Sequence, residues 1–236
     1  MAKKNLAGRI KVALAFLLVF GPAFLLVFIS TRGCEHKFKE LDDYGKAIEY
    51  RITDARGKEY RAKDFQGDIV LVTTLQPTCP SECAVSFWHL NQLIYQHIRK
   101  NKRKKMKQVR IISFEMKQVR IISFVTDGHG KDVKDLSVIQ QALQDQVEGY
   151  DPDIWILASG SSRGIYDFKR NGETLLKKGP NYFGGEAYQE LLLLLDKENH
   201  LRMVLSGRTE GMVRRMKEHI ALLQKQYDKE RSKKSN

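Results

Sequence analysis

Between Val12 and Ile29 the chain has no charged or strongly polar residue, and before that stretch it has no acidic one. The first absence excludes a solvent-exposed helix. As a helix these 18 residues span about 27 Å, close to the hydrocarbon thickness of a bilayer. Gly21 and Pro22 fall mid-span, where a membrane tolerates what a soluble helix does not. A cleaved signal peptide would need a shorter apolar core and a small-x-small cleavage site. Ile29-Ser30-Thr31-Arg32-Gly33 offers no such site, so the segment reads as an uncleaved anchor. Cys34 follows, but Arg32 spoils the lipobox that lipidation there would need. The missing acids set the orientation: Lys3, Lys4, Arg9 and Lys11 precede the span unopposed, whereas the cations after it alternate with Glu35, Glu40, Asp42 and Asp43. The positive-inside rule keeps the N-terminus in the cytoplasm and exports the rest to the periplasmic side, an oxidising compartment where cysteine pairs bridge or cycle.

The central basic run also lacks interleaved aromatics. The net charge of +13 concentrates in the N-terminal flank, the run Arg99–Arg110 (RKNKRKKMKQVR) and the tail Lys225–Asn236, leaving a nearly neutral body. Without stacking side chains, and in an exported domain, this argues against nucleic acid as a partner. The readings left are a solvated loop and tail, or contact with anionic lipid heads or an acidic partner.

The remaining chain is long enough for one domain with a full core. Its expected course starts with a polar stem over 32–46. Ala47–Thr53 and Glu59–Ala62 flank a turn at Gly57, a β-hairpin pattern. Asp68–Leu75 (DIVLVTTL) has the make-up of a buried central strand. A helix is expected over Ser81–Arg99, with Val85, Trp88, Leu90, Leu93, Ile94 and Ile98 inward, and another over Lys131–Val147. Asp153–Ala158 reads as a strand, Ile165–Arg170 as a short helix, Leu191–Asp196 and Leu201–Leu205 as a hairpin. A helix over Thr209–Lys229, capped by Thr209, closes the domain. Trp88 and Trp155 read as core or half-buried aromatics. The nonapeptide MKQVRIISF occurs twice, at Met106–Phe114 and Met116–Phe124. One intervening residue cannot make the crossover between adjacent parallel strands, so the second copy, running into Val125-Thr126-Asp127, is expected to be the strand.

Chemistry concentrates at Cys79-Pro80-Ser81-Glu82-Cys83, where the central strand hands over to a helix. A cysteine in a first helical turn sits near unpaired N–H groups and the positive end of the helix dipole, which favour thiolate. In a helix-like turn, a spacing of four puts both sulfurs on one face. They would bridge each other, cycle with a partner's disulfide, or hold a soft ion such as Cu(I). A static structural disulfide or two inert thiols are the plainer alternatives, and placement after a buried strand argues against inertness.

The run Val70–Leu93 (VLVTTLQPTCPSECAVSFWHLNQL) resembles the active-site region of the SCO/SenC family, membrane-anchored thioredoxin-fold proteins associated with copper delivery to cytochrome c oxidase. The stem Glu35–Gly45 is similar to the segment after the anchor in some bacterial members, and Leu191–Arg202 with Ser206–Thr209 resembles the family's last hairpin and its lead into the final helix. The resemblance implies an α/β, thioredoxin-like mixed sheet with helices on both faces behind an N-terminal transmembrane helix. The expected division is flank and anchor 1–31, stem 32–46, domain 47–224 and basic tail 225–236. It implies Cys79 and Cys83 as redox residues and as copper ligands, and a cytochrome c oxidase subunit or another periplasmic redox or copper protein as partner. The family's third copper ligand is a distal histidine just before the strand matched by Leu191–Leu195. Here Gly184–Glu190 (GGEAYQE) has none, and Tyr188 falls nearest its place. The family's aspartate-containing loop reads Thr126-Asp127-Gly128-His129-Gly130-Lys131-Asp132, so His129 is the candidate replacement imidazole. His36, His89 and His97 are expected in solvent or in packing.

Overall fold

A computed structural model describes residues 3–33, 40–77, 85–101, 119–170, 173–174 and 187–234. The chain divides into two units, Met1–Lys39 and Glu40–Asn236.

The described residues of the first unit form a helix, α1 (Lys3–Gly33), which runs through Pro22. Its stretch Ile10–Phe28 has a mean hydropathy of 2.4 and buries none of its side chains within the protein, so it is long and apolar enough to cross a membrane.

Among the described residues, the second unit is built on seven strands: β1 (Arg51–Asp54), β2 (Glu59–Arg61), β3 (Ile69–Leu75), β4 (Val119–Val125), β5 (Trp155–Gly160), β8 (Leu191–Leu195) and β9 (Leu201–Ser206), in the order β2-β1-β5-β4-β3-β8-β9. Two-residue strands β6 (Lys169–Arg170) and β7 (Glu173–Thr174) pair apart from it. β5, β4 and β3 are parallel; β1 and β8 flank them antiparallel. Every residue of β3 is buried, as its unbroken β-branched and apolar run requires of a strand covered on both faces. Ile69 and Leu71 point into one core; Val70 and Val72 point into the other. The second MKQVRIISF copy supplies β4, paired residue for residue with β3 from Ile69↔Val119 to Leu75↔Val125. The first copy lies outside the described residues.

A mixed sheet with helices is borne out, but among the described residues the helices divide unequally. The helix 87–101 (α2), α3 (Ser137–Gln146) and α5 (Glu210–Lys234) all pack on one face, through Leu90, Ile94, Leu143, Val213, Met216 and Leu223. The other face is covered by Ala47 and Tyr50, by the single turn Ala62–Phe65, and by the single turn α4 (Ser162–Ile165). The order explains this. β3 to β4 to β5 steps in one direction across the sheet, so two right-handed crossovers leave both helices on the same side.

Several boundaries differ from the sequence reading. α3 begins at Ser137, not Lys131, because the backbone of 127–131 is used in a turn closed on the Asp127 carboxylate. β5 runs two residues further, to Gly160, and the short helix precedes rather than follows Ile165. Trp155 is fully buried, whereas Trp88 is 61% exposed. The inward phase given to Trp88 assumed a helix already running at Val85, but Val85 and Ser86 are not helical. Leu90–Tyr95 then winds as a π-helix, which turns Asn91 and Tyr95 inward as well. Residues 40–46, read as stem, are built into the second unit. Leu41 is buried, its carbonyl accepts from Arg202 Nη2 at 2.6 Å, and Tyr44 N donates to Leu201 O. The stretch read as a basic tail continues α5 to Lys234, with Tyr227 buried against the β8–β9 turn.

Candidate functional site

Cys79 and Cys83 lie outside the described residues, as do Cys34 and His36; the frame that brackets residues 78–84 is described. β3 ends at one edge of the sheet, and β4, β5 and β9, which run the same way, end at that edge too. On the near side of the cysteines stands Gln76, buried, whose Nε2 donates to Thr74 Oγ1 and to Thr126 Oγ1, both at 3.2 Å. On the far side stand Val85, buried, and Ser86. Ser86 N donates to Gly207 O at 3.1 Å, and Ser86 Oγ accepts from His89 N at 3.3 Å, capping α2. α2 therefore opens at Phe87, six residues later than the sequence reading, and Cys83 precedes its first turn.

Thr74, a partner of Gln76, and Gly207, the partner of Ser86, both bond to the turn Ala187–Glu190, directly ahead of β8. Thr74 Oγ1 donates to Gln189 O at 2.6 Å, and Gly207 N donates to Glu190 O at 2.6 Å. Gln189 is fully buried; its Nε2 donates to Thr126 Oγ1 at 3.0 Å and to Asp127 O at 2.8 Å. Tyr188, 1% exposed, donates its hydroxyl proton to Gly130 O at 2.6 Å. Its ring packs on Tyr166 with centroids 5.2 Å apart, and the Tyr166 hydroxyl is held well above the usual phenol range by burial and by its neighbour Tyr188. The residue at the place of the expected distal histidine is thus a buried tyrosine committed to a carbonyl.

That carbonyl belongs to the loop carrying His129. The Asp127 carboxylate accepts from Lys131 N at 2.9 Å and His129 N at 2.8 Å. The Lys131 amide first, then the His129 amide, hold Asp127 below the ordinary carboxylate range against the opposing effect of burial. Gly130 turns the chain at φ +77, and Asp132 Oδ1 accepts from Ser162 N at 3.2 Å. His129 stands exposed on this closed loop. His89 is half-buried beside Trp88, and His97 is exposed with Nε2 3.1 Å from Asn101 Nδ2. Among the described residues no three His, Cys, Asp or Glu side chains gather as a metal site. The sequence reading missed Gln76, Thr126 and Gln189; their only signal was polar residues abutting otherwise apolar strands.

No protein-family model matches the chain, and no curated protein matches it. Solved structures do. Sco-family structures are among them. BsSco, a member of the Sco family of cytochrome c oxidase assembly proteins, aligns over 72% of this chain and 89% of its own at 16% identity, with a TM-score of 0.44. A SCO1/SenC family lipoprotein from Bacillus anthracis aligns over 75% and 96% at 19% identity, with a TM-score of 0.45. Bradyrhizobium japonicum ScoI, solved with copper bound, aligns over 74% and 98% at 17% identity, with a TM-score of 0.44. At these identities and scores the likeness reaches no further than the course of the chain.

Proposed function

We propose that the chain is a membrane-anchored, SCO-like protein of thioredoxin-like fold. On this reading it acts in cytochrome c oxidase maturation through thiol–disulfide exchange at Cys79 and Cys83. α1 is its anchor, and residues 40–236 work on the periplasmic side. The observation that carries the reading is where the Cys-x-x-x-Cys segment falls: between the fully buried strand β3 and the capped helix α2, with Gln76 and Ser86 pinned at either end. Each cysteine is three residues from its anchor, so neither Cα can stray more than about 11 Å from it. Two thiols confined at a strand-to-helix junction suit exchange chemistry better than a static bridge between distant elements.

The step balances within the pair. One thiolate attacks a partner disulfide, forms a mixed disulfide and releases the partner's first thiol. The second thiolate attacks the mixed disulfide, closes Cys79–Cys83 and releases the partner's second thiol. Two electrons and two protons pass to the partner. Incubating the reduced full chain, carrying Cys34→Ser, with a small disulfide tests this: two partner thiols should appear per chain, and adding Cys79→Ser or Cys83→Ser should stop the reaction at the mixed disulfide or prevent it. A chain whose thiols leave the disulfide untouched contradicts the reading.

Copper delivery is the second reading, with Cu(I) as cargo on Cys79, Cys83 and His129. The observation favouring it is that Thr126, at the start of the His129 loop, is hydrogen-bonded to Gln76, three residues ahead of Cys79. Thiolate and imidazole suit Cu(I), whereas phenol does not, and the Tyr188 hydroxyl is already engaged. Titrating the reduced full chain with Cu(I) against a competing chelator decides it. Tight one-to-one binding, weakened in both Cys79→Ser and His129→Ala, supports delivery; weak binding by the unaltered chain removes it.

A further inference from the structure

A cavity of about 430 Å³ opens between the β1–β2 turn, the C-terminal half of α3 and the loop that leads into β5. That volume lies within the range of small-ligand sites. The cavity sits toward the start of β5, opposite the edge at which β3, β4 and β5 end. Arg56, Gln140, Gln144, Val147, Tyr150 and Leu157 are among its walls. The loop on one side is fixed in place. Tyr150 donates its hydroxyl proton to Trp155 O at 2.9 Å; the Tyr95 hydroxyl donates to Gly149 O at 2.7 Å and accepts from Asp151 N at 2.8 Å.

The polar groups facing this space are sorted by what they still have to offer. Asp54, buried on the cavity wall, has no acceptor position to spare. Its Oδ1 accepts from Arg56 N and Lys58 N, both at 2.9 Å, and its Oδ2 accepts from Arg56 Nε at 3.0 Å and from the Tyr60 hydroxyl at 3.4 Å. Arg56 Nη2 donates to the Tyr60 hydroxyl at 3.1 Å and to Asp153 Oδ1 at 3.0 Å. Two nitrogens of the guanidinium are thus tied down, while Nη1 has no partner among the described residues. The hairpin turn itself is closed by the backbone bonds to Asp54 and needs no free guanidinium nitrogen. On α3, Gln141 stands off the cavity and donates to Asp145 Oδ1 at 2.9 Å. Gln140 and Gln144, one turn apart on the cavity side, make no side-chain hydrogen bond among the described residues.

Charge narrows what can enter. The one guanidinium is matched by Asp54 and Asp153, and α3 ends at Val147 with the negative end of its dipole toward the cavity. An anion therefore gains little here. A cation meets a carboxylate already saturated and a guanidinium that repels it. What remains is a neutral group that accepts from Arg56 Nη1, both donates to and accepts from the two glutamine amides, and lays a small apolar body against Val147, Tyr150 and Leu157. The peptide unit has that make-up.

We propose that this cavity binds a short uncharged peptide segment, internal to a partner chain, with a backbone carbonyl on Arg56 Nη1 and backbone amides paired with Gln140 and Gln144. The site lies apart from Cys79 and Cys83 and stands whether or not they exchange thiols.

The test uses the isotope-labelled full chain in detergent micelles, titrated with N-acetyl-trialanine amide and followed by nuclear magnetic resonance. The side-chain signals of Gln140, Gln144 and Arg56 should move and saturate, with a Kd on the order of 1 mM for so small a ligand. The double variant Gln140→Ala, Gln144→Ala keeps good helix formers on the surface of α3 and should weaken binding about tenfold. Arg56→Lys keeps the charge, removes Nη1 and should weaken it roughly fivefold; it stands in if the double variant fails to fold. Trialanine with free charged ends should bind less well than the capped form. No saturable shift of these side chains, or an affinity unmoved in the variants, overturns the site. Tighter binding of the free-ended peptide overturns the preference for an uncharged internal segment.

Discussion

Replacing Trp155 with phenylalanine should destabilise the second unit by about 2–4 kcal/mol. Trp155 is fully buried where three elements meet. Its Nε1–H donates to Ser123 Oγ on β4 at 2.8 Å, and its ring lies 5.6 Å from Phe87 and 5.4 Å from Tyr95 on α2. Phenylalanine leaves the Ser123 hydroxyl buried without that donor, a loss of about 1–3 kcal/mol. It also removes roughly 40 Å² of apolar surface from contact, about 1 kcal/mol at about 25 cal/mol per Å². For a unit of this size the melting temperature should fall by about 5–15 °C. Urea unfolding of the full chain in micelles, followed by circular dichroism, measures it, with α1 contributing a constant background. A loss under about 1 kcal/mol with an unchanged m-value would refute the packing and the hydrogen bond assigned to this ring.

Gly207→Ala should cost about 1–3 kcal/mol, because a Cβ there would stand 3.0 Å from both Val85 γ-carbons and 3.3 Å from Glu190 O; the same urea titration reads it, and a neutral result would mean that the Val85–Gly207 contact is loose. The Asp54 carboxylate, against the pull of burial, is held below its ordinary pKa by the Lys58 amide and by the Arg56 side chain and amide. A depressed folded-state pKa contributes stability that is present above the unfolded value near 4 and is lost as pH falls through the folded one. Asp54→Asn should therefore lower stability at neutral pH and flatten its fall in acid; an acid limb as steep as before would contradict the assignment. With Trp155 replaced, the remaining Trp88, 61% exposed, should be open to acrylamide quenching, and a shielded indole would contradict the observed start of α2.

What was legible in the sequence was what one pattern decides alone. The runs Ile69–Leu75 and Leu191–Leu195 are strands because unbroken stretches of apolar and β-branched residues of that length have no charged solvent face to offer. Thr209, at the head of α5, accepts from Met212 N at 3.4 Å, as its identity suggested. The losses came where distant groups compete for local backbone. Lys131–Leu136 stays out of α3 because Asp127 has taken the preceding amides. Trp88 faces outward because Ser86, hydrogen-bonded to Gly207 more than a hundred residues away, sets where α2 begins. At the site, the residue types near Cys79 and Cys83 were readable, and so was the absent histidine. That Tyr188 and Gln189 clamp the loop of His129 was not, because it depends on β8 lying beside β3.

The most direct measurement is thiol trapping of the full chain, with Cys34→Ser, equilibrated across glutathione buffers from reducing to oxidising. The account predicts one reversible two-electron transition, in which Cys79 and Cys83 lose both free thiols together, absent from Cys79→Ser and from Cys83→Ser. Two thiols that stay free throughout, or a bridge that no glutathione ratio reduces, would contradict it.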